Sequence, residues 1–195
     1  MRHLVLYCHP DPSSFNHAVF EAVAQELRAC GQQVVERDLY QTGFSPVLRS
    51  VDLARLAAGE VPEDIKAEQD EVRAADCLTF IFPIWWTGMP ALLKGWVDRV
   101  FSAGFAFQLA AEGPRGLLCG KRAMLFNTTA FPEAFYRQAG LAQCLDANLA
   151  GGILRFCGVE VVTHKYCWGI PFANDQDRQA LLAEIRSLAH EEGSR

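Results

Sequence analysis

Paired aromatic side chains and hydroxyl-rich turns carry the clearest chemistry in this chain. Trp85 and Trp86 stand side by side between an apolar run and a helical pattern, and two exposed indoles suit a flat, conjugated ligand. Ser13 and Ser14 precede the first helical pattern. Their hydroxyls and the free N–H groups of a helix start could bind a phosphate or pyrophosphate, although a plain N-cap explains them equally well. The segment 127–130, Asn-Thr-Thr-Ala, is a third polar stretch.

Each of these segments follows a predicted strand. Apolar runs predict strands at residues 4–8, 34–39, 77–82, 123–126 and 159–162. Helical spacing and cap signals predict helices at residues 15–30, 51–58, 62–75, 90–101, 135–149 and 175–190, while residues 112–116 are predicted to form a Gly-rich loop. This alternation predicts a parallel sheet with helices on both faces. The strand order 2-1-3-4-5 would place all three polar loops beside one switch point, where ligands bind.

Length and composition exclude several classes of protein. The 195 residues, half of them hydrophobic, predict a single domain spanning 1–195. A net charge of −5 without a Lys/Arg cluster argues against nucleic-acid binding. The apolar runs are too short for a signal segment or a membrane span, so we expect a cytoplasmic protein without membrane insertion. The seven cysteines include no C-x-x-C pair, which predicts neither a zinc site nor a disulfide framework.

Several longer motifs resemble one known family. They are His9-x-x-x-Ser13-Ser14-Phe15-Asn16, the run from Phe82-Pro83-Ile84-Trp85-Trp86 through Pro90-Ala91-x-Leu93-Lys94-Gly95-Trp96 to Arg99-Val100-Phe101, Phe105-Ala106-Phe107, Thr128-Thr129 and Gly152-Ile153-Leu154-x-Phe156-Cys157-Gly158. In register over nearly the whole chain, they resemble the flavodoxin-like NAD(P)H:quinone oxidoreductases, in particular the short bacterial type without the mammalian C-terminal extension. The resemblance implies a flavodoxin-like three-layer αβα sandwich.

The resemblance also implies a flavin site. The flavin diphosphate would lie on the first helix start at Ser14, Phe15 and Asn16, with His9 beside it. The isoalloxazine ring would lie against Pro83, Ile84, Trp85, Trp86 and Thr87 on one loop and Thr128, Thr129 and Ala130 on another. The flavin is expected to be FAD, with FMN as the alternative, because Arg178 matches a family arginine near the adenosine part of FAD. NAD(P)H is the implied co-substrate.

Tyr136 is the catalytic residue that the resemblance implies, near the pyrimidine end of the flavin. The family histidine six positions later in the mammalian enzymes is replaced here by Ala142, so a tyrosine–histidine charge relay cannot operate through that position. The second family glycine after the paired threonines is also replaced, by the Ala130-Phe131 pair.

The expected function is two-electron, ping-pong reduction of quinones or similar aromatic acceptors by NAD(P)H, in a homodimer. The alternative is a non-enzymatic flavoprotein, either an electron carrier or a regulatory subunit of a potassium-efflux system. Other conspicuous residues have simpler interpretations. We expect Trp96 and Phe101 to be core residues on a helix, Trp168 to serve packing as readily as ligand binding, and His164 and Lys165 to lie on the surface.

Overall fold

A computed structural model describes all residues, 1–195, and its centre is a five-stranded parallel sheet. The strands of this sheet are β1 (Arg2–Tyr7), β2 (Gln33–Asp38), β3 (Cys77–Pro83), β6 (Arg122–Thr128) and β7 (Glu160–Cys167). Their order is β2-β1-β3-β6-β7, which confirms the predicted order 2-1-3-4-5 and the flavodoxin-like arrangement. The strand order reverses at β1, between the ends of β1 and β3.

Helices cover both faces of the sheet. They are α1 (Phe15–Ala29), α2 (Ser50–Ala57), α3 (Glu63–Ala74), α4 (Ala91–Val100), α5 (Glu133–Gln138), α6 (Leu141–Asp146), a π-helix (Ala147–Arg155), a 3₁₀ turn (Ile170–Phe172) and α7 (Asp175–Gly193). Alternate residues of β1 feed two cores: Leu4 and Leu6 pack with α3 and α4, whereas Val5 and Tyr7 pack with α1 and α7. A core lies on each side of the sheet because parallel sheets are buried on both faces.

Two regions differ from the sequence prediction. The expected Gly-rich loop is part of an antiparallel hairpin, in which β4 (Phe107–Ala110) pairs with β5 (Gly113–Gly116). The expected continuous helix at 135–149 is divided into α5, α6 and the π-helix. Gly140 stands between α5 and α6 with a φ of 70°, a left-handed conformation that interrupts a helix and that glycine adopts without strain.

A close backbone contact fixes the middle of α4 against the irregular segment before α2. A Cβ atom at Gly95 would lie 2.1 Å from the carbonyl oxygen of Pro46, so only glycine fits at this position. Arg99, on the same helix and only 4 % exposed, donates to Asp52 at 3.3 Å and to the backbone carbonyl of Ser45 at 2.9 Å. These contacts join α4 to residues 45–52. No helix has both the length and the apolar content to cross a membrane.

Candidate functional site

The three predicted polar loops meet at the carboxyl edge of the sheet, around one cleft of about 210 Å³. Ten of the residues singled out from the sequence line it: His9, Ser14, Phe15, Asn16, Pro83, Ile84, Trp85, Thr128, Thr129 and Ala130. Ile170 and Pro171 complete the lining, and the sequence did not indicate them. The cleft lies at the switch point of the sheet, where open α/β proteins bind ligands.

The first wall of the cleft is the start of α1. Ser14 is the N-cap, and its hydroxyl accepts a hydrogen bond from His17 N at 3.2 Å. The Asp11 carboxylate accepts hydrogen bonds from the backbone N–H and the hydroxyl of Ser13, at 2.8 and 2.7 Å, and these bonds hold the pKa of Asp11 below its usual value. The first N–H groups of α1 have no intrahelical acceptor, so the positive end of the helix can receive an anion here.

Asn16 ties this wall to the loop after β6. Its Nδ2 donates to Thr128 Oγ1 at 2.8 Å, and both residues are buried. The Asn16 Oδ1 atom is also buried and has no protein partner. A buried amide oxygen without a partner is costly, so a donor from a bound ligand or a water molecule is expected to reach it.

Hydrogen bonds also fix the loop after β6. Thr129 N donates to Cys167 O at 3.0 Å, and Ile84 N donates to Thr128 O at 2.8 Å, so the ends of β3, β6 and β7 are held together. The Thr129 hydroxyl donates to Phe131 O at 2.8 Å and accepts from Gly169 N at 3.1 Å. Protein hydrogen bonds therefore fix the backbone of this wall.

The aromatic loop forms a tight turn on the third wall. Trp85 and Gly88 exchange two backbone hydrogen bonds, of 3.1 and 3.0 Å. Trp86 and Thr87, between them, have φ angles of 50° and 58°, a left-handed conformation that is strained for such residues. Strain of this kind clusters at ligand-binding sites.

This turn leaves the indole of Trp86 fully exposed, at 101 % of its reference area. Trp85 lines the polar cleft and also a second one, of about 480 Å³, which includes Met89, Lys94 and Asn148. The two clefts therefore share one indole, and a ligand lying in one would be close to a ligand in the other.

Trp86, Thr87, Tyr136 and Arg178 do not line the polar cleft. Arg178 lies behind its far rim, where its Nη2 donates to Ile170 O at 3.4 Å and its buried Nε has no protein partner. Tyr136 is buried on α5, with its ring 5.2 Å from that of Trp168. Burial raises the pKa of Tyr136, and the nearby backbone of Ala130 and Phe131 partly opposes this rise. The hydroxyl is thus protonated near neutral pH.

A polar network behind the cleft was missed from the sequence. His164 is not a surface residue as expected, because β7 continues to Cys167 and carries the imidazole inward. Its Nε2 lies 2.9 Å from Asn127 Oδ1 and its Nδ1 lies 3.1 Å from Asp146 Oδ1. Burial lowers the pKa of His164 to about 4, although Asp146 acts in the opposite direction. The network fixes Asn127, whose neighbour Thr128 lines the cleft. Ala142 lines a separate cleft with His164.

Fold and site together define a flavodoxin-like protein with a ligand cleft at the switch point of its sheet. A family model described as "Flavodoxin-like fold" matches residues 1–189, and the chain belongs to this family.

Relatives with names that state an activity are similar over most of the chain. An uncharacterized NAD(P)H oxidoreductase of Haemophilus influenzae is 35% identical, with 93% of this chain and 91% of the relative aligned. NAD(P)H dehydrogenase [quinone] 1 of Rattus norvegicus is also 35% identical, over 87% of this chain and 69% of its own length. The structure of an NAD(P)H:quinone oxidoreductase from Methanothermobacter marburgensis superimposes with a TM-score of 0.89 at 29% identity, covering 98% of this chain and 96% of that one.

Proposed function

We propose that this protein is a flavin-dependent NAD(P)H:quinone oxidoreductase. The observation that carries the proposal is the convergence of a helix N-terminus, an aromatic turn and a fixed threonine loop on one cleft. The relatives reported above are named as oxidoreductases, which favours an enzyme over an electron carrier or a regulatory subunit.

The residues of the cleft fit a flavin. The start of α1 offers N–H groups to its phosphate, and the orphaned Oδ1 of Asn16 offers an acceptor to a ligand donor. Trp85 offers an aromatic face for a flat ring. A bound flavin would supply two-electron transfer from NAD(P)H to a quinone. The second cleft beside Trp85 offers an apolar and aromatic lining for the nicotinamide or the quinone.

Tyr136 is the residue proposed to assist the reaction. Negative charge grows on a flavin as it is reduced, and a fixed hydroxyl dipole stabilises that charge more in the transition state than in the ground state. Because burial keeps the hydroxyl protonated and Ala142 cannot relay a proton, Tyr136 would act as a hydrogen-bond donor and not as an acid.

FAD, and not FMN, is the proposed form of the flavin. Arg178 supports this choice, because its guanidinium lies behind the Ile170–Pro171 rim of the cleft and carries a buried Nε without a protein partner. FMN has no adenosine part that could extend beyond this rim to the guanidinium. Heat release followed by chromatography distinguishes the two, and release of FMN alone would contradict the proposal.

A homodimer is the proposed assembly. An apolar groove of about 500 Å³, with eleven hydrophobic residues among the thirteen that line it, runs between α2 and α4 and includes Leu53, Phe101 and Phe156. The fully exposed Trp86 is a further apolar group for a partner to cover. Analytical ultracentrifugation at micromolar concentration tests this, and an active monomer of 21.6 kDa would contradict it.

Stopped-flow spectroscopy tests the activity itself. The purified holoprotein is mixed anaerobically with NADPH or NADH, and the flavin absorbance is followed before and after addition of menadione. We expect bleaching within seconds and recovery on addition of the quinone. A flavin that stays oxidised with both nucleotides would instead favour the carrier or the regulatory subunit.

A further inference from the structure

We propose that Glu26, Cys30 and His190 form a zinc-binding site between the C-terminal ends of α1 and α7. The Nδ1 atom of His190 lies 3.4 Å from Cys30 Sγ and 2.9 Å from Glu26 Oε1. One ligand atom from each residue lies within 4.8 Å of the other two. Thiolate, imidazole and carboxylate are the ligand types that Zn²⁺ takes in proteins.

The two distances from His190 Nδ1 are close to those around a tetrahedral ion, and the ligand atoms of Cys30 and Glu26 lie within 4.8 Å of each other. Zinc bonds of about 2.0–2.3 Å at tetrahedral angles separate ligand atoms by about 3.3–3.6 Å. The distance between Cys30 Sγ and His190 Nδ1 is within this range, and the distance between His190 Nδ1 and Glu26 Oε1 must widen by a few tenths of an ångström. His190 can make this adjustment because its side chain is 60% exposed. The same exposure gives the ion a path from solvent, and water can take the fourth position.

The two helix ends are held together independently of any metal. Glu26 and Cys30 lie one turn apart on α1, so their side chains share a face. Gly193 packs directly on the cysteine, since a Cβ at this position would lie 3.0 Å from Cys30 Cβ and 3.2 Å from its Sγ. Gln32 Nε2 donates to Gly193 O at 2.6 Å. The three ligands therefore converge on a supported framework.

The same geometry argues against a nucleophilic cysteine triad. In such a triad the histidine contacts the nucleophile through one ring nitrogen and the carboxylate through the other. Here Cys30 and Glu26 both approach the same atom, Nδ1 of His190. Three ligand atoms, one from each side chain, that lie close to one another are the arrangement of a ligand set.

The proposed zinc site is remote from the flavin cleft and does not depend on the proposed function. Helix α1 begins at the cleft and has 15 residues, so it is about 22 Å long and ends at the opposite edge of the sheet. Zinc at the far end would clamp α1 to α7 without contacting the cleft.

Titration of the metal-free holoprotein, with its cysteines kept as free thiols, with Co²⁺ and Zn²⁺ tests the site. We expect one Co²⁺ per chain with intense d–d absorption in the red, where oxidised flavin does not absorb, as for tetrahedral cobalt with a thiolate ligand. Zinc should displace the cobalt, release protons and raise the melting temperature, because the ligands must lose protons to bind and because the ion links two helices.

Cys30→Ser and His190→Gln should each weaken zinc binding by about tenfold or more and remove the zinc-dependent rise in melting temperature. Cys144→Ser is the matched control, because Cys144 is an exposed cysteine elsewhere, and it should bind as the parent does. His190 is exposed, so its replacement leaves folding intact. Octahedral cobalt spectra, or equal zinc affinity in the parent and both variants, would overturn the proposal.

Discussion

The side-chain amide of Asn16 donates a 2.8 Å hydrogen bond to the hydroxyl of Thr128, although 112 positions separate the two residues. The bond connects the first turn of α1 with the end of β6 across the switch point. It joins the wall formed by the start of α1 to the wall formed by the loop after β6. The amide oxygen of Asn16 is buried and has no protein partner.

Replacing Asn16 with Ala should weaken flavin binding about tenfold, because one hydrogen bond worth about 1.4 kcal/mol is lost and Thr128 loses its partner. Flavin fluorescence titration of the apoprotein measures this. Gln25→Ala is the control, since Gln25 is an exposed residue of the same helix whose amide contacts only Glu21. Equal affinity in the Asn16 variant and the parent would mean that Asn16 does not face the flavin.

Tyr136→Phe should slow flavin reduction about tenfold to a hundredfold with little change in flavin affinity, because one hydrogen bond worth about 1–3 kcal/mol is lost mainly in the transition state. Stopped-flow reduction under saturating NAD(P)H measures the rate. Tyr40→Phe, at an exposed tyrosine, is the control. Reduction of the Tyr136 variant at the parent rate would assign that residue a packing role only.

Gly95→Ala should destabilise the fold by about 2 kcal/mol or more, because the new methyl group would overlap the backbone of Pro46 and force it to move. Chemical denaturation measures the change. Gly151→Ala is a suitable control, because the nearest atom to its new methyl group is 3.7 Å away. Equal stability of the two variants would mean that a Cβ at residue 95 does not overlap the backbone of Pro46.

Arg99→Met should cost about 3 kcal/mol, because it leaves the buried carboxylate of Asp52 without its cation. The exposed pair of Arg28 with Glu36 provides the comparison, and Arg28→Met should cost less than about 1 kcal/mol. Urea midpoints of both variants test the difference. Similar losses would mean that solvent reaches the Arg99 pair.

Stability should fall with acid because His3 is held neutral. Burial lowers its pKa from 6.5 to about 4. Between these values the unfolded chain binds a proton that the folded chain does not, so this residue destabilises the fold by about 1.4 kcal/mol per pH unit as pH falls from 6.5 to 4. Above pH 6.5 its effect is absent.

His3→Leu should remove this contribution. The two pKa values set a window from pH 6.5 to 4. As pH falls through this window, the unfolding free energy of the variant should increase relative to that of the parent. Denaturation at several pH values measures it. A difference that is constant with pH would show that His3 titrates alike in both states.

Much of the fold could be predicted from local patterns. The central strands β1, β3 and β6 contain short apolar runs, and α1 is bounded by a serine cap and a glycine, so nearby residues decide both. The hairpin at 107–116 and the division of the helix after residue 132 were missed. In both places glycines with positive φ, such as Gly113 and Gly140, set the backbone path, and single-sequence periodicity does not reveal φ.

The sequence alone determined that three loops meet at one edge of the sheet, because these loops follow strand ends and parallel strands bring their carboxyl ends to one edge. It did not indicate Ile170 and Pro171, which also line the cleft. Only the tertiary structure decided which atoms meet. It turned His164 inward to hold Asn127, and it brought His190 onto Cys30 across 160 positions. Spacing along the chain gives no sign of such contacts, since they depend on how separate elements pack against each other.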